Sequence, residues 1–281
     1  MLAGQSGAAV GMEESVMINH NYSPEGYLDW AENRFKQPTK RLVGVSGGKD
    51  STAMAIALRE LEPHHDYSFA ITPTGRELPV MIDHWKRLED LLNAPLIRVP
   101  APTLNDLIIR QRALPNFQMR WCTRMVKIQP FMAWAASQYP ATTCIGIRAD
   151  EVIGDAPREG TDWKGIDGIA QDFPLVRWGW GLEKVKSYLK EKGITIPLRT
   201  DCDICFYQRL IEWFELWRDH IDRWMEGEAY EAFTGFTFRS DQRDTWPASM
   251  KGLRLEFESG RVPKDTRNGK QRASMCSWCA R

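Results

Sequence analysis

The sequence predicts an α/β fold with a doubly wound parallel sheet and a helical, cysteine-containing C-terminal lobe. Over about the first half of the chain, short apolar stretches alternate with helix-like stretches, which is the rhythm of βαβ units. A glycine-rich corner, "GVSGGKDST" at 44–52, joins the first of these strands to its helix. Beyond about residue 200, apolar residues recur at helical spacing and cysteines occur in CxxC pairs.

The predicted elements follow one another in the order that a parallel sheet requires. Strands are predicted at 41–45, 66–72, 96–100 and 142–148, and helices at 51–61, 79–93 and 126–138. Pro79 falls in the first turn of its helix, where a backbone N–H would have no intrahelical acceptor, so proline is tolerated there. A Gly- and Asp-rich loop then leads to a short strand in "FPLVRW" and a helix that ends at Gly193.

A long amphipathic helix, or a pair of helices, is predicted over 204–233. Its apolar residues recur at steps of three or four. They are Phe206, Leu210, Trp213, Trp217, Ile221 and Trp224. An aromatic stripe with this spacing favours core packing over a platform on which bases stack.

Composition and charge exclude several classes of protein. The 281 residues include 37 Lys/Arg and 37 Asp/Glu, so no bulk attraction to nucleic acid is expected. No apolar run approaches the roughly 20 residues that span a bilayer, and the N-terminus lacks the features of a secretory signal. We therefore expect a cytoplasmic protein without a membrane partner. Ten Lys/Arg and five Asp/Glu lie in 239–281, which predicts either a solvated surface or a docking surface for a phosphate-rich partner.

The glycine-rich corner has the chemistry of an oxyanion site. Gly47 and Gly48 allow the backbone to approach an anion and to direct several N–H groups at it, and the following helix adds the positive end of its dipole. Lys49 supplies a point charge, and Asp50 would either cap the helix or help to hold Mg²⁺. Hydroxyl donors come from Ser46, Ser51 and Thr52. The adjacent glycines do not fit the Walker pattern, and a glycine turn with a capped helix is the alternative.

The cysteines indicate metal or sulfur chemistry, because disulfides are not expected in a reducing compartment. Cys122 stands alone, and Cys144 lies in an apolar stretch where we expect it to be buried and inert. The other four form two CxxC pairs, Cys202 with Cys205 and Cys276 with Cys279. Thiolates in a set of four suit both Zn²⁺ and an iron–sulfur cluster, and the spacing alone favours zinc.

The motif "SGGKDS" after an apolar strand resembles the pyrophosphate loop (PP-loop) of the ATP pyrophosphatases, which have an adenine nucleotide alpha hydrolase-like fold. Within that superfamily, the chain most resembles the phosphoadenosine-phosphosulfate (PAPS) reductase family. The other segments that carry the resemblance are "TPTGREL" at 72–78, "RWCTRMVKIQPF" at 120–131, "GIRADE" at 146–151 and "FPLVRW" at 173–178. In the first of them, Pro73 stands where the family has an Asp.

The resemblance implies a nucleotide-binding PP-loop domain over 21–200, a flexible tail over 1–20 and a helical, cysteine-rich region over 201–281. It implies that the chain binds ATP, with Mg²⁺ on the phosphates. The implied nucleotide-binding residues are Ser46, Gly47, Gly48, Lys49, Asp50, Ser51, Thr52, Thr74, Gly75, Glu77 and Arg148. The implied catalytic residues are Lys49, Asp50, Lys127 and Arg148.

The resemblance also bears on the metal. In adenylyl-sulfate reductases, a Cys-Cys pair and a later CxxC hold a [4Fe-4S] cluster. Lys127 aligns Cys122 with the first cysteine of that pair, and Thr123 replaces the second. A [4Fe-4S] cluster is thus favoured over Zn²⁺, with the fourth ligand from the C-terminal pair or an open iron. The candidate ligands are Cys122, Cys202, Cys205, Cys276 and Cys279.

By this resemblance, the chain is expected to adenylylate an acceptor, for which nucleic acid is the candidate, and to prepare it for sulfur transfer. DNA phosphorothioation proteins and transfer-RNA thiolation are the two implied settings, with a cysteine desulfurase or another sulfur donor as partner. Sulfonucleotide reductases carry a C-terminal E-C-G-[IL]-H, whereas this chain ends in "CSWCAR". Sulfonucleotide (APS or PAPS) reduction is therefore the second hypothesis, and a non-catalytic nucleotide-binding module the third.

Overall fold

The structure, a computed structural model, describes residues 40–153, 156–157 and 169–267. These residues belong to one compact unit, Thr39–Arg281. The predicted tail over 1–20 and the second CxxC pair, Cys276 and Cys279, lie outside the described residues. The boundary at residue 200 stays a prediction.

Five parallel strands form the central sheet, in the order β3–β2–β1–β4–β7. The strands are β1 (Lys40–Gly44), β2 (Tyr67–Ile71), β3 (Leu96–Arg98), β4 (Ala141–Cys144) and β7 (Ile169–Asp172), and a separate antiparallel hairpin consists of β5 (Val152–Ile153) and β6 (Ala156–Pro157). The chain runs outward from β1 to β3 and then returns to place β4 on the other side of β1. The predicted α/β doubly wound fold is confirmed. The reversal between β1 and β4 is a topological switch point, outside which such sheets bind ligands.

Helices flank the sheet and build the C-terminal part. They are α1 (Lys49–Leu61), α2 (Pro79–Leu92), α3 (Leu104–Gln111), α4 (Gln129–Ala136), α5 (Pro174–Arg177), α6 (Leu182–Glu191), α7 (Leu210–Asp219), α8 (Ile221–Thr234) and α9 (Met250–Glu258). A π-helical segment, Thr123–Ile128, leads into α4, and a 3-10 turn, Ala149–Glu151, precedes β5. None of the described helices combines the length and the apolar character needed to cross a membrane.

Alternate residues of β1 face opposite sides of the sheet, as strand geometry requires. Val43 packs into a core with Leu58 of α1 and Leu88 of α2, whereas Leu42 packs with Phe131 of α4 on the other side. Both faces of the sheet are therefore covered by helices, which explains why the strands are apolar on both sides.

A second large core lies among α7, α8 and α9. Trp213 and Trp224 have no exposed surface, and Phe257 packs against Trp224 with ring centroids 5.9 Å apart. The aromatic stripe therefore packs in the core, as predicted, except for Ile221, which is 47% exposed.

Two sequence predictions of local structure were wrong, and one helix was missed. "FPLVRW" is not a strand: Pro174 starts a helical turn, because its fixed φ suits a first helical position and it has no N–H for a ladder. Residues 204–209 are not helical. Of the two predicted alternatives for the rest of this stretch, the pair of helices is confirmed, because α7 and α8 meet at His220. The short helix α3 was not predicted at all.

Candidate functional site

The glycine-rich corner follows β1 at the switch point. Gly48 is the N-cap of α1, with φ −74° and ψ 166° and no side-chain capping bond, so Asp50 does not cap the helix. Gly47 has φ +78°, and a Cβ built there would lie 2.5 Å from Cε of Met81 and 2.9 Å from Nε1 of Trp85. Only glycine fits this position, because α2 packs directly against the corner.

Hydrogen bonds of two serine hydroxyls stabilise the conformation of the corner. Oγ of Ser46 lies 2.9 Å from Oγ of Ser51, and the N–H of Gly48 donates to Ser46 Oγ over 3.3 Å. The first intrahelical bond runs from the N–H of Thr52 to the carbonyl of Gly48 over 3.0 Å. The N–H groups just ahead of Thr52 therefore precede the helical bonds and provide the donors that a helix start presents to an anion.

A buried cluster of charges lies beside the corner. Oδ2 of Asp50 accepts from Nζ of Lys49 over 3.1 Å and from Nη1 of Arg148 over 2.9 Å. Arg148 also contacts Asp150 and Glu151, over 2.9 and 3.0 Å. Burial alone would lower the pKa of Arg148, but the charges of Asp50 and Glu151 raise it above its ordinary value. Arg148 therefore stays cationic at the switch point, between the ends of β1 and β4.

Several buried polar atoms around the corner have no hydrogen-bond partner among the described residues. They are Asp50 Oδ1, Thr52 Oγ1, His84 Nε2 and Trp85 Nε1. Burial, together with Arg87, lowers the pKa of His84 to about 4, although a hydrogen bond to the backbone of Gly47 opposes this. His84 is therefore neutral at pH 7. Since buried polar groups are normally satisfied, these atoms are candidates to bind a ligand, an ion or water.

The segment after β2 forms a tight turn. The carboxylate of Glu77 accepts from the N–H and the hydroxyl of Thr74, over 2.6 and 2.7 Å, and from the N–H of Gly75 over 3.1 Å. The predicted nucleotide ligands Thr74, Gly75 and Glu77 therefore bond to one another in this structure. Glu77 also forms a β-bridge with Cys202, which joins the turn to the first CxxC pair.

Three predicted metal ligands surround one cavity of about 30 Å³. Cys122, Cys202 and Cys205 line it, together with Lys127 and Thr74. Thr74 lies just past the end of β2, which neighbours β1. The thiols therefore lie at the same carboxyl edge of the sheet as the glycine-rich corner.

The donor chemistry of this cavity fits a soft metal site only in part. Three thiols in one lining match a thiolate set for Zn²⁺ or an iron–sulfur cluster. Within the described ranges, however, no three His, Cys, Asp or Glu side chains are arranged to hold a metal ion. The other two candidate ligands, Cys276 and Cys279, lie outside those ranges.

A buried ion-pair network that the sequence did not reveal fixes the CxxC turn. Asp203 lies between the two cysteines, is fully buried, and accepts from Nε of Arg76 and Nη1 of Arg223, both over 2.8 Å. Arg76 also pairs with Glu226. The Arg76 and Asp203 backbones are bonded as well, over 2.8 Å. This network connects the turn after β2 with the thiols.

Cys144 is buried at the end of β4, and desolvation raises the pKa of its thiol to about 12. The prediction of a buried, inert cysteine is confirmed, because the reactive thiolate form is suppressed.

Neither a family model nor a curated protein matches the chain. One similar solved structure is phosphoadenylyl-sulfate (PAPS) reductase from Candida auris in its phosphate complex, with 16% identity and a TM-score of 0.41 over 63% of this chain and 82% of that chain. Another is the U34-tRNA thiolase NcsA from Methanococcus maripaludis with its [4Fe-4S] cluster, with 16% identity and a TM-score of 0.45 over 93% of this chain and 90% of that chain. At these values, neither protein's activity transfers to this chain.

Proposed function

We propose that this chain is a PP-loop ATP pyrophosphatase that adenylylates an acceptor and so prepares it for sulfur transfer. The observation that carries the proposal is a juxtaposition at one edge of the sheet. The glycine-rich corner, with its buried Lys49, Asp50 and Arg148, and the cavity lined by Cys122, Cys202 and Cys205 both lie at the carboxyl ends of the strands. Anion-binding groups and thiols are thereby available to one substrate.

The corner would bind the phosphates of ATP. The N–H groups of residues 49–51 lie at the N-terminus of α1, where the helix dipole favours an anion. Arg148 supplies a cation that three carboxylates hold in place. The unpartnered Oδ1 of Asp50 is an oxygen ligand of the kind that Mg²⁺ prefers, and Mg²⁺ would neutralise charge on the phosphates.

The first chemical step would transfer AMP. An oxygen of the acceptor attacks the α-phosphorus, the bond from that phosphorus to the bridging oxygen breaks, and pyrophosphate leaves with the electron pair. Arg148 and the backbone N–H groups stabilise the charge that grows on the phosphorus oxygens. The acceptor oxygen is then part of a good leaving group, AMP.

The second step would replace that oxygen by sulfur. A sulfur nucleophile forms the new bond to the acceptor, and AMP departs with the electrons of the bond that breaks. A [4Fe-4S] cluster or Zn²⁺, if bound, would fix sulfur at the site. Its ligands would be drawn from Cys122, Cys202, Cys205, Cys276 and Cys279. Lys127 lines one cavity with the first three of these cysteines and would attract the anionic acceptor.

The partners of this reaction are part of the proposal. A nucleic acid, either DNA destined for phosphorothioation or transfer RNA, is the proposed acceptor. A cysteine desulfurase is the proposed sulfur donor. Its persulfide would attack the adenylylated acceptor, AMP would leave, and a thiol reductant would then cleave the S–S bond that forms, so that one sulfur stays on the acceptor.

The test uses the full chain purified without oxygen and measures pyrophosphate and AMP released from ATP, with sulfide present and with transfer RNA or duplex DNA as acceptor. Pyrophosphate that depends on the acceptor is expected. Gly48→Val should abolish nucleotide binding, because the side chain would occupy space that the anion needs, and should leave the fold intact, because φ and ψ of Gly48 suit any residue. Sulfite formed from a sulfonucleotide, or tight ATP binding with no turnover, would instead support the reductase or the non-catalytic module.

A further inference from the structure

A second cleft, of about 470 Å³, lies in the C-terminal part of the structure between the start of α7 and the segments on either side of α9. Its lining is basic, with Arg209, Arg243, Arg261 and Lys264 against a single carboxylate, Asp244. The negative charge of Asp244 is balanced by the buried Arg239, with which it pairs over 2.7 Å. The cleft therefore keeps a net positive charge, even though Arg261 also pairs with Glu256 over 3.1 Å.

Three cations of the cleft could bind an anion, and each is held in a different environment. The guanidinium carbon of Arg261 lies 3.8 Å from the ring centroid of Trp246, so that side chain is held flat against an aromatic surface. Nη1 of Arg209 is buried without a hydrogen-bond partner among the described residues. Lys264 is exposed and forms no ion pair within the same part of the chain. An anion with several oxygens would satisfy these groups together.

Two other arginines of the basic C-terminal stretch lie outside the cleft, and each pairs with two carboxylates. Arg254 pairs with Glu228 and Glu258, and Arg267 pairs with Glu215 and Asp265. These two arginines therefore add little net positive charge outside the cleft, where Lys251 is a further exposed cation of the described part of 239–281.

The cleft lies close to the thiols. Nη1 of Arg243 donates to the carbonyl of Phe206 over 3.1 Å, and Phe206 lines the cysteine cavity. Arg209 follows Cys205 by four residues, so their Cα atoms are at most about 14 Å apart. A chain-like anion in the cleft would thus extend into the region where sulfur transfer is proposed.

We propose that this cleft binds the phosphodiester backbone of a nucleic-acid acceptor and holds the acceptor beside the cysteine cavity; this inference rests on the proposed function. Phosphate contacts of this kind fix the position of a nucleic acid without reading its sequence. Planar guanidinium groups bind phosphate oxygens in pairs, and the cleft supplies three of them with one lysine.

The experiment measures fluorescence anisotropy of a labelled single-stranded 20-mer, as RNA and as DNA, with the full chain and without ATP. The double variant Arg209→Gln/Lys264→Glu should weaken binding at least tenfold at 100 mM salt. Its slope of log affinity against log salt should shrink by about 1.4, because each lost phosphate contact removes about 0.7 for single strands. The matched control, Arg59→Gln/Lys190→Glu, changes one arginine and one lysine that are exposed and outside the cleft and should bind as the wild type does.

Three results would overturn the inference. The first is that the wild type does not bind the 20-mer, and the second is that both double variants lose the same affinity. The third is that inorganic tripolyphosphate displaces the labelled 20-mer as well as unlabelled nucleic acid does at the same phosphate concentration. The last would identify a site for small anions. If the double variant does not fold, Lys264→Ala replaces it, with an expected fall in slope of about 0.7. The Gly48→Val protein distinguishes this proposal from the proposed enzymatic function, because it should lose ATP binding and keep nucleic-acid binding. Binding through the cleft without pyrophosphate release would refute only the proposed function.

Discussion

Asp203 offers the sharpest test of how the thiol-bearing turn is held. The change is Asp203→Ala, which removes a fully buried carboxylate from two guanidinium groups, each 2.8 Å away. Arg76 would keep the ion pair with Glu226, whose side chain is 55% exposed, and a hydrogen bond of 3.2 Å to the carbonyl of Arg223. Removing one partner of a buried ion pair leaves an uncompensated charge and costs about 3–5 kcal/mol. That is a large part of the roughly 5–15 kcal/mol by which a native domain is stable.

The assay is urea unfolding without oxygen, followed by tryptophan fluorescence. Asp219→Ala is the matched control, because Asp219 also binds an arginine through two bonds of 2.7 Å, but on the surface. The control should cost about 0–1 kcal/mol. In the Asp203 variant, the thiols of Cys202 and Cys205 should also react faster with a thiol reagent. If Asp203→Ala lowers the free energy of unfolding no more than Asp219→Ala does, the view that this network fixes the turn is refuted.

Three further outcomes are expected. Gly47→Ala should cost about 1–3 kcal/mol in urea unfolding, because φ +78° strains any side chain and Met81 occupies the space; an unchanged midpoint would exclude this conformation. Cys122→Ala should remove a brown absorbance near 400 nm if the cysteine holds a [4Fe-4S] cluster, and one zinc in a colourless anaerobic wild type would decide for zinc. Burial raises the pKa of Glu231 to about 7, above its unfolded value of about 4.5. The stability due to the protonated form is therefore present below pH 4.5 and lost as the pH rises to 7, by about 3 kcal/mol; Glu231→Gln should flatten that slope between pH 5 and pH 8, and an equal slope in both proteins would contradict the assignment.

The parallel sheet could be predicted because its signals are local. Apolar strands alternate with amphipathic helices, and Pro79 starts α2 where the sequence places it. The helix α3 also had a local signal that was overlooked: Leu104, Leu107 and Ile108 share one face, and Thr103 forms a capping box with Asp106. Its eight residues are too few for a pronounced period.

The site could be predicted only where a motif carries it. The glycine-rich corner is a continuous stretch, so its position at a strand end followed from its neighbours. The pairing of Arg76 with Asp203 joins residues 127 apart in the sequence, and no spacing rule connects them. The meeting of Cys122 with the CxxC pair came from a family resemblance, because 80 residues separate Cys122 from Cys202. Trp85, which limits the space at Gly47, reads in the sequence only as a core residue of a helix.

The turn that follows β2 has a consequence for how the molecule responds to change. Its residues 74–78 are bonded to the cysteine-bearing turn on one side and continue directly into α2, which covers the glycine-rich corner, on the other. These five residues therefore connect the two neighbours directly, by hydrogen bonds on one side and by the chain itself on the other. The glycine-rich corner and the cysteine cavity therefore share one structural support, so mutations that loosen it should disturb both at once.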